Sequence, residues 1–268
     1  MLRTSLLHSV IDIAHQAGEH LRRFYSQPID IQIKSDNTPV TEADVFVSQF
    51  LTEKLTALSP QLPVLSEENC QVPLNERQQW SCYWLIDPID GTQHFINRTG
   101  HFAVMIALVE NHRPVLGVMY APILGWTYYA MQHFGAFKHT AEGTKHLQKR
   151  RLDLTQPLKI VIGSEKQLEK VRSVLSEKWQ YEFQIMGSSG LKSALVAEGV
   201  ADCYIRLGST GEWDTAVGEI LLAETNGAIF DRTFGPLTYN QRADFANPHF
   251  VMVADREIDW RNILKFSP

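Results

Sequence analysis

The sequence predicts a mixed α/β (α+β) fold, a layered αβαβα sandwich with a largely antiparallel N-terminal sheet and an α/β C-terminal half. Three observations predict it. Two amphipathic helical patterns open the chain, short β-rich runs separated by Gly, Pro and Asn clusters follow, and strand-like and helix-like runs then alternate to the end.

Leu7, Val10, Ala14, Ala17, Leu21 and Phe24 recur at spacings of three and four, the apolar stripe of a first helix. A second helix begins near Thr41, carries Val45, Phe50, Leu51, Leu55 and Leu58, and is stopped by Pro60 and Pro63. Between them, residues 34–39 read as a loop or hairpin. After Pro73 the runs 83–86, 102–109, 115–120 and 126–131 have strand composition and turn-rich borders, which predicts neighbouring antiparallel strands. From about Pro157 the pattern becomes strand 159–162, helix 168–177, strand 181–186, helix 191–198, strand 202–207 and helix 215–225, with late strands at 228–231 and 250–253. The charged, turn-rich stretch 142–151 is the expected boundary between domains 1–150 and 151–268. Two sheets sharing one interface can equally be counted as a single domain.

A chain of 268 residues can bury a proper core. Charged residues make up 21% and the net charge is −5, so no general basic field exists to hold a nucleic acid polymer. Cys70, Cys82 and Cys203 are odd in number and far from CxxC spacing, which argues against a disulfide framework and a thiolate zinc site. A reducing, cytoplasmic setting fits best. The N-terminal stretch meets Asp12 too early for a secretory apolar region, and the run 102–109 is too short for a membrane span, so no transmembrane segment is expected. A homodimer and peripheral attachment at the inner membrane are both compatible with the sequence.

The segment Asp87-Pro88-Ile89-Asp90-Gly91-Thr92 puts two carboxylates three residues apart after an apolar strand. Two such acids repel each other unless a cation intervenes. Hard divalent ions such as Mg²⁺ take oxygen ligands, so Asp87, Asp90 and the Ile89 carbonyl make a half-cage. Gly91 permits a tight turn that aims the Gly91 and Thr92 N–H groups at a phosphate. Alone, the pattern is better read as an Asp-Pro turn followed by an Asp-Gly turn. Ser66-Glu67-Glu68-Asn69 and Trp213-Asp214-Thr215-Ala216 also have plain readings singly, as solvated loop charge and a helix-start acid. Thr41-Glu42-Ala43-Asp44 resembles a capping box. No HExxH, GxSxG or P-loop occurs, which disfavours zinc, serine-hydrolase and P-loop chemistry.

Read together, Leu65-Ser66-Glu67-Glu68, Trp84-Leu85-Ile86-Asp87-Pro88-Ile89-Asp90-Gly91-Thr92 and Trp213-Asp214-Thr215-Ala216 resemble the inositol monophosphatase superfamily of Li⁺-sensitive, Mg²⁺-dependent phosphatases. Within it, residues 34–44, Gly187-Ser188-Ser189-Gly190-Leu191-Lys192 and Leu195-Val196-Ala197-Glu198-Gly199 look most like the CysQ-type 3'(2'),5'-bisphosphate nucleotidases. The resemblance implies hydrolysis of adenosine 3',5'-bisphosphate (PAP) to AMP and phosphate, linked to sulfur metabolism. It also implies that Glu67, Asp87, Asp90, Asp214 and the Ile89 carbonyl bind two or three Mg²⁺ ions. The phosphate would rest on Gly91 and Thr92, with Asp90 and Asp214 also at the substrate. Glu67, Thr92 and Asp44 would activate the attacking water, Asp44 as the partner of Thr92.

A bisphosphorylated nucleotide carries a second phosphate away from the metals, and its site needs fixed cations. Lys192 and Arg206 match nucleotide-binding positions of the resembled nucleotidases, with Ser189 three residues before Lys192. Inositol-specific members place a glutamate seven residues before the helix-start aspartate, where this chain has Leu207. Two departures stand on the nucleotidase side. The usual Asp-Gly-Thr-Lys-Glu-Phe reads Asp90-Gly91-Thr92-Gln93-His94-Phe95, and a turn that normally holds histidine reads Gly163-Ser164-Glu165-Lys166. Inositol monophosphatase or sugar bisphosphatase activity is the alternative within this chemistry; a non-catalytic sensor of Mg²⁺ and nucleotide is the alternative outside it.

Overall fold

The computed structural model describes residues 3–28, 31–33 and 39–266. Helix α1 (Thr4–Tyr25) precedes the short strands β1 (Ile31–Ile33) and β2 (Pro39–Thr41) and helix α2 (Glu42–Leu58). Next come β3 (Val64–Ser66), the one-turn α3 (Leu74–Arg77), β4 (Cys82–Asp90) and α4 (Thr92–Ile96). The meander β5 (Ala103–Glu110), β6 (Arg113–Ala121), β7 (Trp126–Met131), β8 (Gly135–Thr140) and β9 (Gly143–His146) completes the first half. The second half holds β10 (Leu158–Ile162), α5 (Leu168–Arg172), β11 (Tyr181–Ile185), α6 (Ser189–Glu198), β12 (Cys203–Arg206), α7 (Trp213–Glu224), β13 (Ala228–Asp231) and β14 (Phe250–Val253).

Strands β3 to β9 form a seven-stranded sheet in chain order, antiparallel except for the β3–β4 pair. The second sheet runs β11-β10-β12-β14-β13, with β10 parallel to both neighbours and the remaining pairs antiparallel. Helices α1 and α2 cover the outer face of the first sheet, α6 and α7 fill the space between the sheets, and α5 with Trp260, Ile263 and Leu264 covers the outer face of the second. This is the expected αβαβα order.

Strand β5 shows why a continuous apolar run is a strand here. Successive side chains point to opposite faces. Val104, Ile106 and Leu108 join the core under α1 and α2, while Ala103, Met105, Ala107 and Val109 join the core under α6 and α7. Both faces are dry, so the run has no polar alternation.

Two expectations need correction. The helix expected over 168–177 stops at Arg172. Beyond it, Ser176 N–H donates to the Ile263 carbonyl (2.8 Å), Lys265 N–H donates to the Val174 carbonyl (2.7 Å) and Leu175 bridges Leu264, so the C-terminal segment takes the backbone groups a helix would use. The strand expected at 83–86 runs on to Asp90. The hairpin β8–β9 occupies part of the stretch read as a domain boundary; its last strand is exposed throughout and carries no buried periodicity. The loop or hairpin expected at 34–39 lies mostly outside the described residues, though β1 and β2 on either side pair antiparallel.

Candidate active site

The site is built first at the end of β4. Asp87 is opposite Met105 on β5, but Asp90 is opposite Ala103, so three steps on β4 match two on β5. That extra residue is a β-bulge. Residues three apart on a regular strand face opposite sides; the bulge brings both carboxylates to one side. Pro88, which has no N–H to give a ladder, sits within the irregularity. The two ordinary turns that the hexapeptide suggests on its own are therefore not what forms. Gly91 follows with φ +98°, where a Cβ would lie 2.9 Å from the His101 carbonyl oxygen, so glycine is required on both counts.

Asp214, in the first turn of α7, supplies the third acid. Carboxylate oxygens of Asp87, Asp90 and Asp214 lie within 4.8 Å of one another. Burial, then the charges of Glu67 and Asp90, push the Asp87 carboxyl well above the usual range. Asp214 is raised by burial and then by Asp90 and Glu67. Glu67 is half-buried beside them and lines the same cleft, of about 600 Å³. Without a cation these acids work against one another. An all-oxygen donor set, with Asp87 and Asp90 from the end of β4, Glu67 after β3 and Asp214 at the start of α7, fits a hard divalent ion. The Ile89 carbonyl, also at the cleft, lies 3.2 Å from the Thr92 hydroxyl oxygen as an alternative acceptor for its hydrogen.

Asp90 is held from across the interface. Ser189 N–H donates to Oδ1 (3.0 Å), Gly190 N–H donates to Oδ2 (2.7 Å), and the Ser188 hydroxyl donates to Oδ2. Ser188 Oγ in turn accepts from Leu191 N–H (3.0 Å) as the N-cap of α6. The start of α6 thus clasps a metal-ligand candidate carried by the first sheet, with Ser188 at φ 60° to aim the donors. Sequence reasoning took only Ser189 from this turn; the signal for the rest was a Ser-Ser-Gly step directly before a helical pattern.

Asp44 does two things at once. Oδ2 accepts from Thr41 N–H (2.7 Å), which with the Asp44 N–H donated back to the Thr41 side chain makes the capping box; Oδ2 is also 2.6 Å from the Thr41 hydroxyl, and Oδ1 accepts from the Thr92 hydroxyl (3.1 Å). Burial pushes its carboxyl up to about 6 against the pull of those hydrogen bonds.

The other wall of the cleft carries the basic groups. Lys192 is not a helix-surface lysine: it is 4% exposed, with Nζ donating to the Met186 carbonyl (3.4 Å) and the Ser188 carbonyl and lying 5.0 Å from the Tyr204 ring centre. Desolvation lowers it to about 8. Arg206 Nη2 donates to the Ser209 carbonyl (2.7 Å), while its buried Nε has no partner. Ser189 and Lys192 line the cleft with Arg206, as do His94, Lys166 and Gln167, which the sequence did not single out as site residues. The Leu207 side chain offers no acceptor, and its carbonyl accepts from Lys170 Nζ (2.6 Å). No helix among the described residues is long and apolar enough to cross a membrane.

The chain is 61% identical to the 3'(2'),5'-bisphosphate nucleotidase CysQ of Aggregatibacter actinomycetemcomitans, over 98% of each chain. It is 58% identical to the protein of the same name from Haemophilus influenzae, over 99% of each. The crystal structure of CysQ from Bacteroides thetaiotaomicron superposes with a TM-score of 0.79 at 31% identity, covering 94% of this chain and 98% of that one. The model of the inositol monophosphatase family matches residues 3–257. With that match spanning both sheets and all the clustered carboxylates, the chain belongs to the inositol monophosphatase family.

Proposed function

We propose that this chain is a Mg²⁺-dependent 3'(2'),5'-bisphosphate nucleotidase, hydrolysing adenosine 3',5'-bisphosphate to AMP and phosphate in the cytoplasm. The observation that carries the proposal is one cleft with two chemistries. Three crowded carboxylates form one wall, and Lys192 with Arg206 stands on the other. The names of relatives at 61% and 58% identity over nearly their full lengths support the same substrate. A net charge of −5 supports a small metabolite over a nucleic acid polymer.

Residues 1–150 form the domain that supplies most of the ligands, Glu67, Asp87, Asp90 and the Ile89 carbonyl; residues 151–268 form the domain that completes the site with Asp214. Two or three Mg²⁺ ions held there supply charge neutralisation for the phosphate and a more acidic water. The Gly91 and Thr92 N–H groups orient the phosphate. Thr92, whose hydroxyl donates to Asp44, keeps lone pairs free to accept from the attacking water, and a carboxylate raised to about 6 is a better proton acceptor than an ordinary one. Glu67, half-buried at the same cleft, is the second group that would orient that water or take its proton. Ser189, Lys192 and Arg206 bind the nucleotide beyond the scissile phosphate.

Comparing kcat/KM for adenosine 3',5'-bisphosphate, inositol 1-phosphate and fructose 1,6-bisphosphate tests the substrate. The proposal expects the first to lead by at least about tenfold. A preference for either of the others returns the monophosphatase or sugar bisphosphatase reading, and tight nucleotide binding with no phosphate release returns the sensor.

A further inference from the structure

Among the clustered carboxylates, Asp214 is the one carried by the second half of the chain. Packing places the body of its helix, since Ala216, Val217, Ile220, Leu221 and Leu222 of α7 join the core between the sheets. Asp214 lies ahead of them in the first turn, where backbone N–H groups have no partner within the helix. That turn is held by an irregular segment, residues 232–249, between β13 and β14. Long irregular segments in compact domains commonly serve a site. Glu212 N–H donates to the Phe245 carbonyl (2.9 Å), Asn247 N–H donates to the Thr210 carbonyl (2.9 Å), and Gly211 bridges Ala246. The Asn247 side-chain amide also donates to the carbonyl of Gly211, the residue whose own N–H donates to Asp214 Oδ2 (2.6 Å).

A buried chain of polar groups fastens this segment to the first half. Arg77, on the one-turn α3, is fully buried. Nη1 donates to Asn240 Oδ1 (2.7 Å), Nη2 donates to the carbonyls of Arg242 (2.6 Å) and Ala243 (2.9 Å), and the guanidinium lies 4.1 Å from the Phe245 ring centre. The Asn240 amide donates back to the Arg77 carbonyl. Asn240 N–H then donates to Oε2 of the buried Glu212 (2.8 Å), whose Oε1 accepts from Arg242 Nη2 (3.0 Å). Glu212 stands two residues before Asp214. The other end of the chain is anchored beside the remaining acids: Arg77 Nε donates to the Val72 carbonyl (3.1 Å), and upstream of it Glu67 N–H donates to the Ile86 carbonyl of β4 (3.2 Å).

Burying a guanidinium and a carboxylate is costly, and apolar side chains of similar volume often serve stability as well or better. Hydrogen bonds supply what apolar contacts lack, which is fixed direction. We infer that Arg77 and Asn247 are positioning residues of the metal centre: through residues 240–247 they set Asp214 against Glu67, Asp87 and Asp90. This rests on the metal-dependent reading above. Both act through Asp214 and stand apart from the wall of Lys192 and Arg206, so their loss registers in the Mg²⁺ requirement and not in KM for the nucleotide.

The test uses Arg77→Lys, which keeps the charge but not the planar fork of donors, and Asn247→Ala, which cuts the bond to Gly211 at the other end. Leu264→Ala, which truncates a buried side chain on the outer face of the second sheet, is the control for lost stability alone. Two quantities are measured at a temperature where each protein is folded: the Mg²⁺ concentration for half-maximal phosphate release from adenosine 3',5'-bisphosphate, and the Mg²⁺ concentration that gives half of the Mg²⁺-induced rise in unfolding temperature without substrate. Removing a group that orients a metal ligand typically weakens the site about 10–100-fold, so both concentrations should rise at least about tenfold in each variant, with KM at saturating Mg²⁺ within about twofold of wild type. Leu264→Ala should unfold at lower temperature with the wild-type Mg²⁺ requirement. An unchanged requirement in either folded variant, an equal rise in Leu264→Ala, or failure of both variants to fold assigns these residues to the fold alone and overturns the inference. A wild-type protein that releases no phosphate in Mg²⁺ and gains no stability from it overturns the metal-dependent reading and this inference with it, whereas a Mg²⁺-dependent wild type with unaltered variants overturns this inference alone.

Discussion

The two walls of the cleft are built on opposite principles. On the acidic wall, Asp87, Asp90 and Asp214 crowd within 4.8 Å, and burial, then the neighbouring carboxylates, push Asp87 and Asp214 toward protonation. On the basic wall, Lys192 is already held by two carbonyls and an aromatic face, and Arg206 Nη2 by the Ser209 carbonyl, with its buried Nε left over. The first wall is electrically incomplete until a cation arrives; the second is largely complete before substrate arrives. Under the proposed function, catalysis would depend on the wall that is costly to leave empty, and recognition on the wall that is cheap to hold in place.

The largest break in this comparison comes from Asp214→Asn. It removes one charge from the acidic wall while keeping an oxygen that can still accept from Gly211 N–H (2.6 Å in wild type). A loss of at least about 10²–10³-fold in kcat is expected, with little change in unfolding temperature. Asp90 is a poorer choice, because its carboxylate also clasps the start of α6 and any substitution mixes catalysis with stability. Near-normal turnover of Asp214→Asn at saturating Mg²⁺ would remove the residue from the metal set.

A smaller effect sharpens the role of the Asp44–Thr92 pair. Thr92→Ala is expected to cost about 10²-fold in kcat, within the range of general acid–base contributions, and Thr92→Ser to recover most of it. Asp44 gives a less clean readout, since losing its capping box also costs about 1 kcal/mol of stability. If the alanine variant keeps its kcat and changes only KM, the hydroxyl binds substrate and does not assist the water.

The smallest effect is on stability. Asp44 and Glu212 are raised by burial to about 6 and about 7, and burial raises Asp87 and Asp214 well above the usual carboxylate range. A carboxyl whose pKa is raised on folding favours the folded state most below its unfolded value, and that contribution is lost as pH climbs through the folded value. The metal-free protein should therefore lose a few degrees of unfolding temperature between about pH 4 and pH 8. Mg²⁺ should flatten the decline, because a cation stabilises the charged forms of Asp87 and Asp214. A metal-free protein that grows more stable over that range contradicts the crowding on the acidic wall.

The sequence carried the layers well where one physical signal dominated. The stripe from Leu7 to Phe24 and the doubly buried run around β5 leave little freedom in how they can be buried. It carried less where long-range pairing competes with local propensity: residues after Arg172 have helical composition, yet they pair with the segment around Ile263 and Leu264. Within the site, the acids were legible as a set, since Asp87, Asp90 and Asp214 are each ordinary alone. The bulge that turns Asp87 and Asp90 to one side, the Ser188 clasp on Asp90, and the burial of Lys192 were not legible, because each depends on a partner distant in the chain.

The most direct measurement follows phosphate release from adenosine 3',5'-bisphosphate by the wild-type protein in Mg²⁺, after chelation with EDTA, and after Mg²⁺ is restored. The expected result is release in Mg²⁺, near-complete loss in EDTA and recovery on restoring the ion. Release that continues undiminished in excess EDTA, or no release at all in Mg²⁺, would contradict the assignment of the acidic wall as the catalytic metal centre.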